Sequence, residues 1–274
     1  MNKKGTLYLV PTPIGNMEDI TFRAIKVLKE TSILFCEDTR ITKELLQALS
    51  LDYHDKVLIS NNDINEKKRE LIFLKYIENN NIALLTDRGT PIISDPGFFL
   101  VEISLKNNIN VVPLPGATAI TTALIASGLP PYPFYFHGFL KGNTKKKTLK
   151  LEKLKVLDTT LIFYESSHEI EKTIKLLYEC LGDRKVVIAR ELTKIHEEFI
   201  RTTLSEAMNL GPLKGEIVIL VEGKKEETDF SHLSLEEHVK MYKEEGASDM
   251  EAFKKVANDL KTSKSEIYKR YHQK

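Results

Sequence analysis

The chain has 274 residues, of which 42% are hydrophobic and 29% charged, and its formal net charge is +1. This composition excludes a disordered chain, and the near-neutral balance argues against a protein that coats nucleic acid indiscriminately. Because no apolar run approaches the roughly 20 residues of a membrane span and the two cysteines lack a metal or redox spacing, we expect a cytoplasmic protein without membrane association or bound metal.

The first 115 residues alternate between short apolar runs and longer amphipathic stretches. Strands that are buried on both faces of a parallel sheet are continuous apolar runs, and these runs have that character. The alternation predicts an α/β domain over residues 1–115 with a mainly parallel, doubly wound sheet. We predict strands at 7–10, 33–36, 56–59, 82–85 and 110–113, and helices at 21–30, 41–49, 66–78 and 98–107.

A second set of elements follows Gly116, so we place a domain boundary at Leu114-Pro115-Gly116. It predicts a second α/β domain over residues 116–224, followed by a charged linker at 222–231. Its predicted strands are 134–138, 159–164, 185–189 and 217–221, and its predicted helices are 118–127, 170–180 and 205–210.

The last forty or so residues contain three S-x-x-E motifs, which begin at Ser234, Ser248 and Ser263. In such a capping box the serine and the glutamate each satisfy a backbone N–H at a helix start. They predict a small helical domain over 231–274 that resembles a helix-turn-helix. A plain helical cap or a dimerisation element remains an alternative.

The loop at residues 87–97, D-R-G-T-P-I-I-S-D-P-G, is the most informative segment. It follows a predicted buried strand, and ligand crevices of α/β proteins form at the carboxyl ends of strands. Glycine allows a close approach of backbone to a ligand, and proline stiffens the loop. The sequence therefore favours a ligand site here over an ordinary connection.

Other loops with small or charged residues also follow predicted strands. A tight turn is the alternative for the first of them, and a helix N-cap, which is compatible with a function, is the alternative for the second. Since the loops come from both predicted domains, they predict a cleft between these domains, where ligands commonly bind. The loops are residues 11–16, 36–40, 114–119, 163–167 and 189–194.

Residues 141–155 contain seven lysines and one acidic residue. In a near-neutral chain this is a focused basic patch, and a phosphate backbone is its natural partner. The alternative is a solvated surface helix. The predicted RNA-binding residues are Lys141, Lys145, Lys146, Lys147 and Lys150.

Several common catalytic motifs are missing from the sequence. No G-x-G-x-x-G follows a strand, and there is no P-loop, no G-x-S-x-G and no H-E-x-x-H. These absences argue against a dehydrogenase of the Rossmann type, a P-loop enzyme, a serine hydrolase and a zinc protease.

Seven motifs occur in order along the chain: P-T-P-I-G-N at 11–16, E-D-T-R at 37–40, G-T-P-x-I-S-D-P-G at 89–97, L-P-G at 114–116, A-S-G-L-P at 126–130, F-Y-E-S at 163–166 and R-E-L-T-K at 190–194. In this register they resemble the ribosomal RNA small subunit methyltransferase I family, which belongs to the tetrapyrrole-methylase superfamily. The resemblance covers roughly residues 5–224, and more weakly the tail.

This resemblance implies two α/β domains of the tetrapyrrole-methylase type with S-adenosyl-L-methionine in the cleft between them. It implies methyl transfer to the ribose 2′-oxygen of a cytidine in the decoding centre of 16S ribosomal RNA, either as RNA or in the 30S subunit, by a homodimer. A tetrapyrrole C-methyltransferase and a non-catalytic RNA-binding assembly factor are the alternatives.

The resemblance also implies which positions contact the cofactor, mostly through backbone and apolar atoms. They are Ile14, Gly89, Thr90, Pro91, Ile92, Thr118, Ala119, Tyr164, Ala189 and Ile217. One departure is Arg88, where the family usually has alanine. A cation there would repel the sulfonium of the cofactor unless it points outward to RNA phosphate.

For catalysis, we hypothesise that Asp38 or Glu165 accepts the hydrogen bond of the ribose hydroxyl. Arg40, Arg190 and Lys194 would hold phosphate or stabilise developing charge. The reason is that all five follow predicted strands at one cleft, where proton transfer and electrostatic stabilisation would assist a weak nucleophile.

Overall fold

The computed structural model describes residues 4–225, 230 and 233–272. The chain forms two compact units, Met1–Lys224 and Lys225–Lys274. Within the predicted linker at 222–231, residues 226–229 and 231 lie outside the described residues, as does 232 at the start of the predicted helical domain. In the described part of the chain, every helix is too short or too polar to cross a lipid bilayer.

The first sheet has five parallel strands in the order β3-β2-β4-β1-β5. This arrangement confirms the predicted parallel, doubly wound α/β fold. Short 3₁₀ helices at Met17–Asp19 and Glu66–Arg69 supplement the main elements. The elements are β1 (Thr6–Leu9), α1 (Phe22–Glu30), β2 (Ile33–Cys36), α2 (Thr39–Ala48), β3 (Val57–Ser60), α3 (Glu70–Ile77), β4 (Ile82–Leu85), α4 (Phe98–Lys106) and β5 (Asn110–Pro113).

The first sheet is covered on both faces because its central strands are apolar on both faces. Every residue of β4 is buried, and successive side chains point to opposite sides. Leu84 packs in a core with Phe73 of α3 and Leu100 of α4. Leu85 packs in the opposite core with Leu46 of α2 and residues of α1. The polar loops after these strands consequently meet at one edge of the sheet.

The second sheet has the order β6-β7-β10-β8-β9. Here β6 and β7 are parallel, whereas β7, β10, β8 and β9 form successive antiparallel pairs. The elements are α5 (Ala119–Ser127), β6 (Phe134–Phe139), α6 (Thr144–Leu154), β7 (Thr160–Ser166), α7 (Ile170–Leu181), β8 (Lys185–Arg190), β9 (Glu198–Thr203), α8 (Leu204–Ala207) and β10 (Glu216–Val221).

The basic stretch at 141–155 is mostly helix α6. Strand β9 was not predicted from the sequence. Strand β9 is the edge of its sheet, and none of its residues is fully buried. An edge strand needs no continuous apolar run, so its pattern is weak. The predicted boundary near residue 115 falls between the last strand of the first sheet and α5, and the division into domains at 115/116 stays a prediction.

The C-terminal unit contains helices α9 (Leu235–Glu244), α10 (Asp249–Asp259) and α11 (Lys264–His272). Their apolar faces share a small core that includes Val239, Phe253 and Ile267. Capping boxes form at Ser234 and Ser248, as predicted, because serine and glutamate bond reciprocally there. The predicted C-terminal helical region is thus confirmed.

Candidate active site

A pocket opens between loops of the two sheets within the unit Met1–Lys224. Its empty space, about 840 Å³, includes open solvent at the pocket mouth. Its walls come from the loops after β1, β4 and β5 on one side and from β7, β10 and the loop after β8 on the other.

Most of the residues predicted to bind the cofactor surround this pocket. Pro91 and Ile92 belong to the same loop as Gly89 but do not line the pocket, and Ala189 is fully buried in the core beneath it. That these residues bind the cofactor stays a prediction. The predicted residues that line the pocket are Ile14, Gly89, Thr90, Thr118, Ala119, Tyr164 and Ile217.

Backbone contacts hold the three loops of the first sheet together. The Gly89 carbonyl accepts from the Thr12 N–H at 2.9 Å, and the Gly89 N–H donates back to the Thr12 carbonyl at 3.1 Å. The Thr90 hydroxyl donates to the carbonyl of Ala117 at 3.0 Å. Gly89 has φ +80°, a conformation that glycine adopts without strain. These hydrogen bonds therefore hold the three loops in one arrangement at the pocket.

Helix α5 begins at the pocket, since Thr118 is its N-cap and Ala119 its first residue. The Thr118 hydroxyl accepts from the N–H of Thr121. At the start of a helix the first N–H groups lack intrahelical partners, so this end of α5 offers donors toward the pocket.

The second sheet provides an aromatic and apolar wall. Tyr164 packs edge-on against Phe136 and Phe139, with ring centroids 4.9 and 5.6 Å apart. Burial, and then the nearby carboxylate of Asp95, raise the pKa of Tyr164 to about 12, so the phenol stays neutral. Leu192 completes the wall. Such a surface suits a flat ligand with little charge.

Several lining residues were missed in the sequence. Some of them belong to the loop at 87–97, which the sequence did identify as a ligand loop, but only four of its residues were selected. Other missed residues belong to strands, and whether such a residue lines the pocket depends on which face of the strand meets it. The sequence carries little information about that face. The missed residues are Arg88, Ile93, Ser94, Asp95, Phe139, Leu192, Glu216 and Val218.

The cation of Arg88 is neutralised at the pocket mouth. Its guanidinium forms an ion pair with Glu216, the first residue of β10. The other oxygen of Glu216 lies 3.0 Å from the Nζ of Lys194, which also bonds Glu191 at 2.9 Å. The carboxylates therefore offset the two cations, and the repulsion expected from Arg88 is reduced.

Asp38 and Arg40 lie outside the pocket lining and pair with each other. The Asp38 carboxylate caps α2 by accepting from the Arg40 N–H at 2.8 Å, and it also binds the Arg40 guanidinium at 2.6 Å. The hydrogen bonds from Arg40 lower the pKa of Asp38 to about 2. A base of such low pKa is a poor proton acceptor, and the predicted catalytic role of this pair stays a prediction.

Glu165 and Arg190 are also engaged in contacts within the second sheet. Glu165 is 8% exposed and accepts from the Thr173 hydroxyl at 2.6 Å and from the Ser166 N–H at 2.8 Å, so its carboxylate anchors the end of β7 to α7. The Arg190 guanidinium pairs with Glu198 across β8 and β9. The catalytic roles predicted for Glu165, Arg190 and Lys194 remain predictions.

The predicted RNA-binding lysines lie on α6 and just before it. Lys145 and Lys146 are exposed on its first turn, whereas the ammonium of Lys147 is largely buried and pairs with Glu169 at 3.4 Å. The Lys141 N–H donates to the carbonyl of Phe139, a pocket residue, at 2.9 Å. The basic segment therefore begins two residues from the pocket wall.

Within the described part of the chain, the side chains that commonly bind metals do not converge. Over residues 4–225, 230 and 233–272, no group of three or more histidine, cysteine, aspartate or glutamate side chains could hold a metal ion.

The fold is shared by solved structures of low sequence identity. Uroporphyrin III C-methyl transferase from Thermus thermophilus superposes with a TM-score of 0.58 at 18% identity, covering 79% of this chain and 97% of that one. A diphthine synthase superposes with a TM-score of 0.64 at 14% identity, covering 81% and 91%. At these identities the similarity concerns the fold.

Residues 6–208 match the family model for Tetrapyrrole (Corrin/Porphyrin) Methylases. A protein of Bacillus subtilis (strain 168) named ribosomal RNA small subunit methyltransferase I is 44% identical to this chain, and the match covers 98% of this chain and 94% of that protein. A protein of the same name from Streptococcus pyogenes serotype M1 is 39% identical, and the match covers 98% of this chain and 95% of that protein. The chain therefore belongs to the tetrapyrrole methylases and, among them, to the ribosomal RNA small subunit methyltransferase I family.

Proposed function

We propose that this protein transfers a methyl group from S-adenosyl-L-methionine to the ribose 2′-oxygen of a cytidine in the decoding centre of 16S ribosomal RNA. The observation that carries the proposal is the pocket between the two sheets. In a chain of this family, this pocket is lined from both sides by residues that were predicted to contact the cofactor. The basic helix α6 begins beside it.

The pocket residues fit a bound nucleoside cofactor. At Gly89 a Cβ would lie 3.1 Å from the Cγ2 of Ile14, so any side chain would fill space that the glycine leaves open. The opposite wall is apolar at Leu192 and Val218, which suits the face of an adenine ring. Because the negative charge of Glu216 offsets the positive charge of Arg88, the mouth of the pocket tolerates a cationic ligand.

We infer which residues would hold the cofactor from their place in this pocket. The backbone of Gly89 and Thr90 and the start of α5 at Thr118 would bind it from the first side, and Tyr164 and Ile217 from the second. When bound, S-adenosyl-L-methionine supplies a methyl group already activated on a sulfonium. The chain then mainly has to orient the acceptor hydroxyl and exclude competing water.

The proposed RNA contact uses the exposed lysines at the start of α6. Lys145 and Lys146 project from its first turn, and Lys141 precedes it beside the pocket wall. Lysines on a helix surface neutralise backbone phosphates without reading sequence, so they would attract and hold RNA near the cofactor. A 2′-hydroxyl at an unstacked position of the RNA could then enter the pocket.

The direct test uses 30S subunits isolated from cells that lack this protein. Purified protein and S-adenosyl-L-methionine with a labelled methyl group are added, and mass spectrometry of nuclease digests locates the label. We expect one labelled 2′-O-methylcytidine in 16S RNA. Label on a base, or label only when a tetrapyrrole replaces the subunit, would overturn the proposal. Binding of S-adenosyl-L-methionine is measured separately by calorimetry, because a protein that binds no cofactor would be a non-catalytic RNA-binding factor.

We further propose that the protein acts in the cytoplasm as a homodimer. Sedimentation equilibrium at micromolar concentration checks the dimer, and a single species near the monomer mass of 31.3 kDa would contradict it.

A further inference from the structure

Asp95 differs from the other carboxylates on the pocket wall because it lacks a partner. It belongs to the loop at 87–97 and lines the pocket with Tyr164. Its carboxylate makes no hydrogen bond or ion pair with any residue that the structure describes. By contrast, Glu216 pairs with Arg88 and Lys194. An unpaired, half-buried carboxylate is costly, so it points to a function at this position.

The surroundings of Asp95 disfavour its charged form. Burial, and then the carboxylates of Glu37, Asp87 and Asp63, raise its pKa from 3.8 to about 7. A group that titrates near the working pH is well suited to accept and release a proton. The titratable and charged side chains around it are Glu37, Asp63, Asp87 and Tyr164, together with Arg88, Glu165 and Glu216 elsewhere on the pocket wall.

The backbone that carries Asp95 is held in an unusual conformation. Ile92 and Ser94 have φ +80° and +70°, which side-chain-bearing residues seldom adopt. The neighbouring Gly97 has φ +129°, and a Cβ there would lie 2.6 Å from the Cδ2 of Leu84. Its N–H donates to the Oε1 of Glu66 at 2.9 Å. Such strain persists where surrounding contacts impose it and is common at active sites.

The opposite face of this loop is equally constrained. A Cβ on Gly138, at the bulge of β6, would lie 2.9 Å from the Oγ of Ser94. The loop therefore packs against β6 where that strand approaches the pocket, and this contact helps to hold the backbone that carries Asp95. A rigid placement is what a group that must meet a substrate atom requires.

From this geometry we propose that Asp95 is the catalytic base that accepts the proton of the acceptor hydroxyl. The proposal rests on the proposed function. A lone pair of the ribose 2′-oxygen forms the new bond to the methyl carbon, and the carbon–sulfur bonding pair leaves with sulfur as a neutral thioether. The O–H bonding pair stays on oxygen, and the proton goes to the Asp95 carboxylate, which later releases it to water.

The first experiment compares the wild type with Asp95→Asn on 30S subunits under single-turnover conditions between pH 5.5 and 9. We expect the wild-type rate to rise with pH to a plateau, with a midpoint near 7. For Asp95→Asn we expect a loss of at least about 10²-fold and no midpoint in this range. An Asp95→Asn protein with the wild-type rate and profile would overturn the proposal.

A second variant tests separately whether neighbouring carboxylates raise the pKa of Asp95. Asp63→Asn removes one of the carboxylates that raise the pKa of Asp95 but leaves the base in place. Its rate midpoint should move to lower pH while the plateau rate is retained. A midpoint that stays fixed in Asp63→Asn would mean that the titrating group is not Asp95. Asp183→Asn, which changes a carboxylate bound to Ser205 outside the pocket lining, is the matched control and should keep the wild-type midpoint.

Calorimetry supplies a readout that does not depend on turnover. Ionised Asp95 should favour the sulfonium of S-adenosyl-L-methionine over the neutral thioether of S-adenosylhomocysteine. The ratio of the two affinities should therefore increase between pH 6 and 8 in the wild type and stay constant in Asp95→Asn; an equal increase in both proteins would overturn the proposal.

If the wild type methylates no 30S subunits, the proposed function fails, and this role for Asp95 fails with it. An active wild type with an equally active Asp95→Asn removes the role of Asp95 alone.

Discussion

Arg88 and Glu216 form an ion pair that joins the loop after the central strand β4 of one sheet to the start of the central strand β10 of the other. Glu216 also binds Lys194, so one carboxylate serves two cations at the pocket mouth. This arrangement explains how a cation can stand beside the proposed methyl-donor site: its charge is offset locally.

A double-mutant cycle tests this ion pair. Both side chains are about half exposed, so we expect a coupling energy of only about 0.5 kcal/mol between Arg88→Ala and Glu216→Ala in urea unfolding. Calorimetry should show weaker binding of S-adenosyl-L-methionine in Glu216→Ala, because Arg88 and Lys194 lose their shared counter-charge. Arg88→Ala should bind it at least as tightly as the wild type. The opposite order of affinities would refute the explanation.

Gly89 offers a test of the cofactor pocket. In Gly89→Ala, a side chain at φ +80° costs about 1 kcal/mol, and the new Cβ would crowd Ile14 at 3.1 Å. We expect the affinity for S-adenosyl-L-methionine to fall roughly tenfold or more in calorimetry. Gly211→Ala is the matched control, since a Cβ there meets no atom within 4 Å. Equal affinities in both variants would place the cofactor elsewhere.

The lysines of α6 should account for part of the salt dependence of RNA binding. With Lys145 and Lys146 both changed to glutamate, we expect weaker binding and a salt slope reduced by roughly one for each lysine that contacts a phosphate. Filter binding between 50 and 300 mM KCl measures this slope. A variant with Lys26 and Lys29 of α1 both changed to glutamate is the control for an equal change of net charge. A slope that matches the control would remove α6 from the RNA surface.

The substitution Glu165→Ala distinguishes a structural role of this carboxylate from a catalytic one. In Glu165→Ala the Thr173 hydroxyl and the Ser166 N–H lose a charged acceptor, which should destabilise the fold by about 2 kcal/mol in urea unfolding. The folded fraction should methylate with the wild-type pH midpoint. A variant with wild-type stability and no activity would instead support the catalytic role predicted from the sequence.

Asp95 should also lower the stability of the protein as pH rises. Its folded pKa of about 7 lies above the unfolded value near 3.8, so between these values the folded protein retains a proton that the unfolded chain has lost. Stability contributed by this group is therefore lost as the pH rises from about 4 to 7. Because Asp95 is partly exposed, we expect Asp95→Asn to be more stable than the wild type by only roughly 1 kcal/mol at pH 8.

Urea unfolding of both proteins at pH 8 and at pH 4.5 measures this difference. It should be largest at pH 8 and should shrink at pH 4.5, where the carboxyl is mostly protonated in the folded state. A constant difference at both pH values would show that the charge of Asp95 is not its source.

The sequence by itself determined the first sheet and the edge of that sheet at which the pocket opens. The apolar runs of β2 and β4 required burial on both faces, and this in turn required a parallel sheet with helices on either side. Loops that follow such strands must meet at one edge, so the loops at 87–97 and 114–119 were expected at a ligand crevice from their positions after β4 and β5. The choice of Gly89 and Thr118 within these loops came from the family resemblance.

Only the tertiary structure decided how the charges pair. Arg88 and Glu216 are 128 positions apart, and no local pattern indicates that they meet. Asp38 and Glu165 resembled candidate bases because they are acidic and follow strands, but one is held by Arg40 and the other by Thr173. The reason is that burial and backbone direction are encoded locally by residue type, whereas the partners and the pKa of a carboxylate depend on side chains that the fold brings together from distant segments.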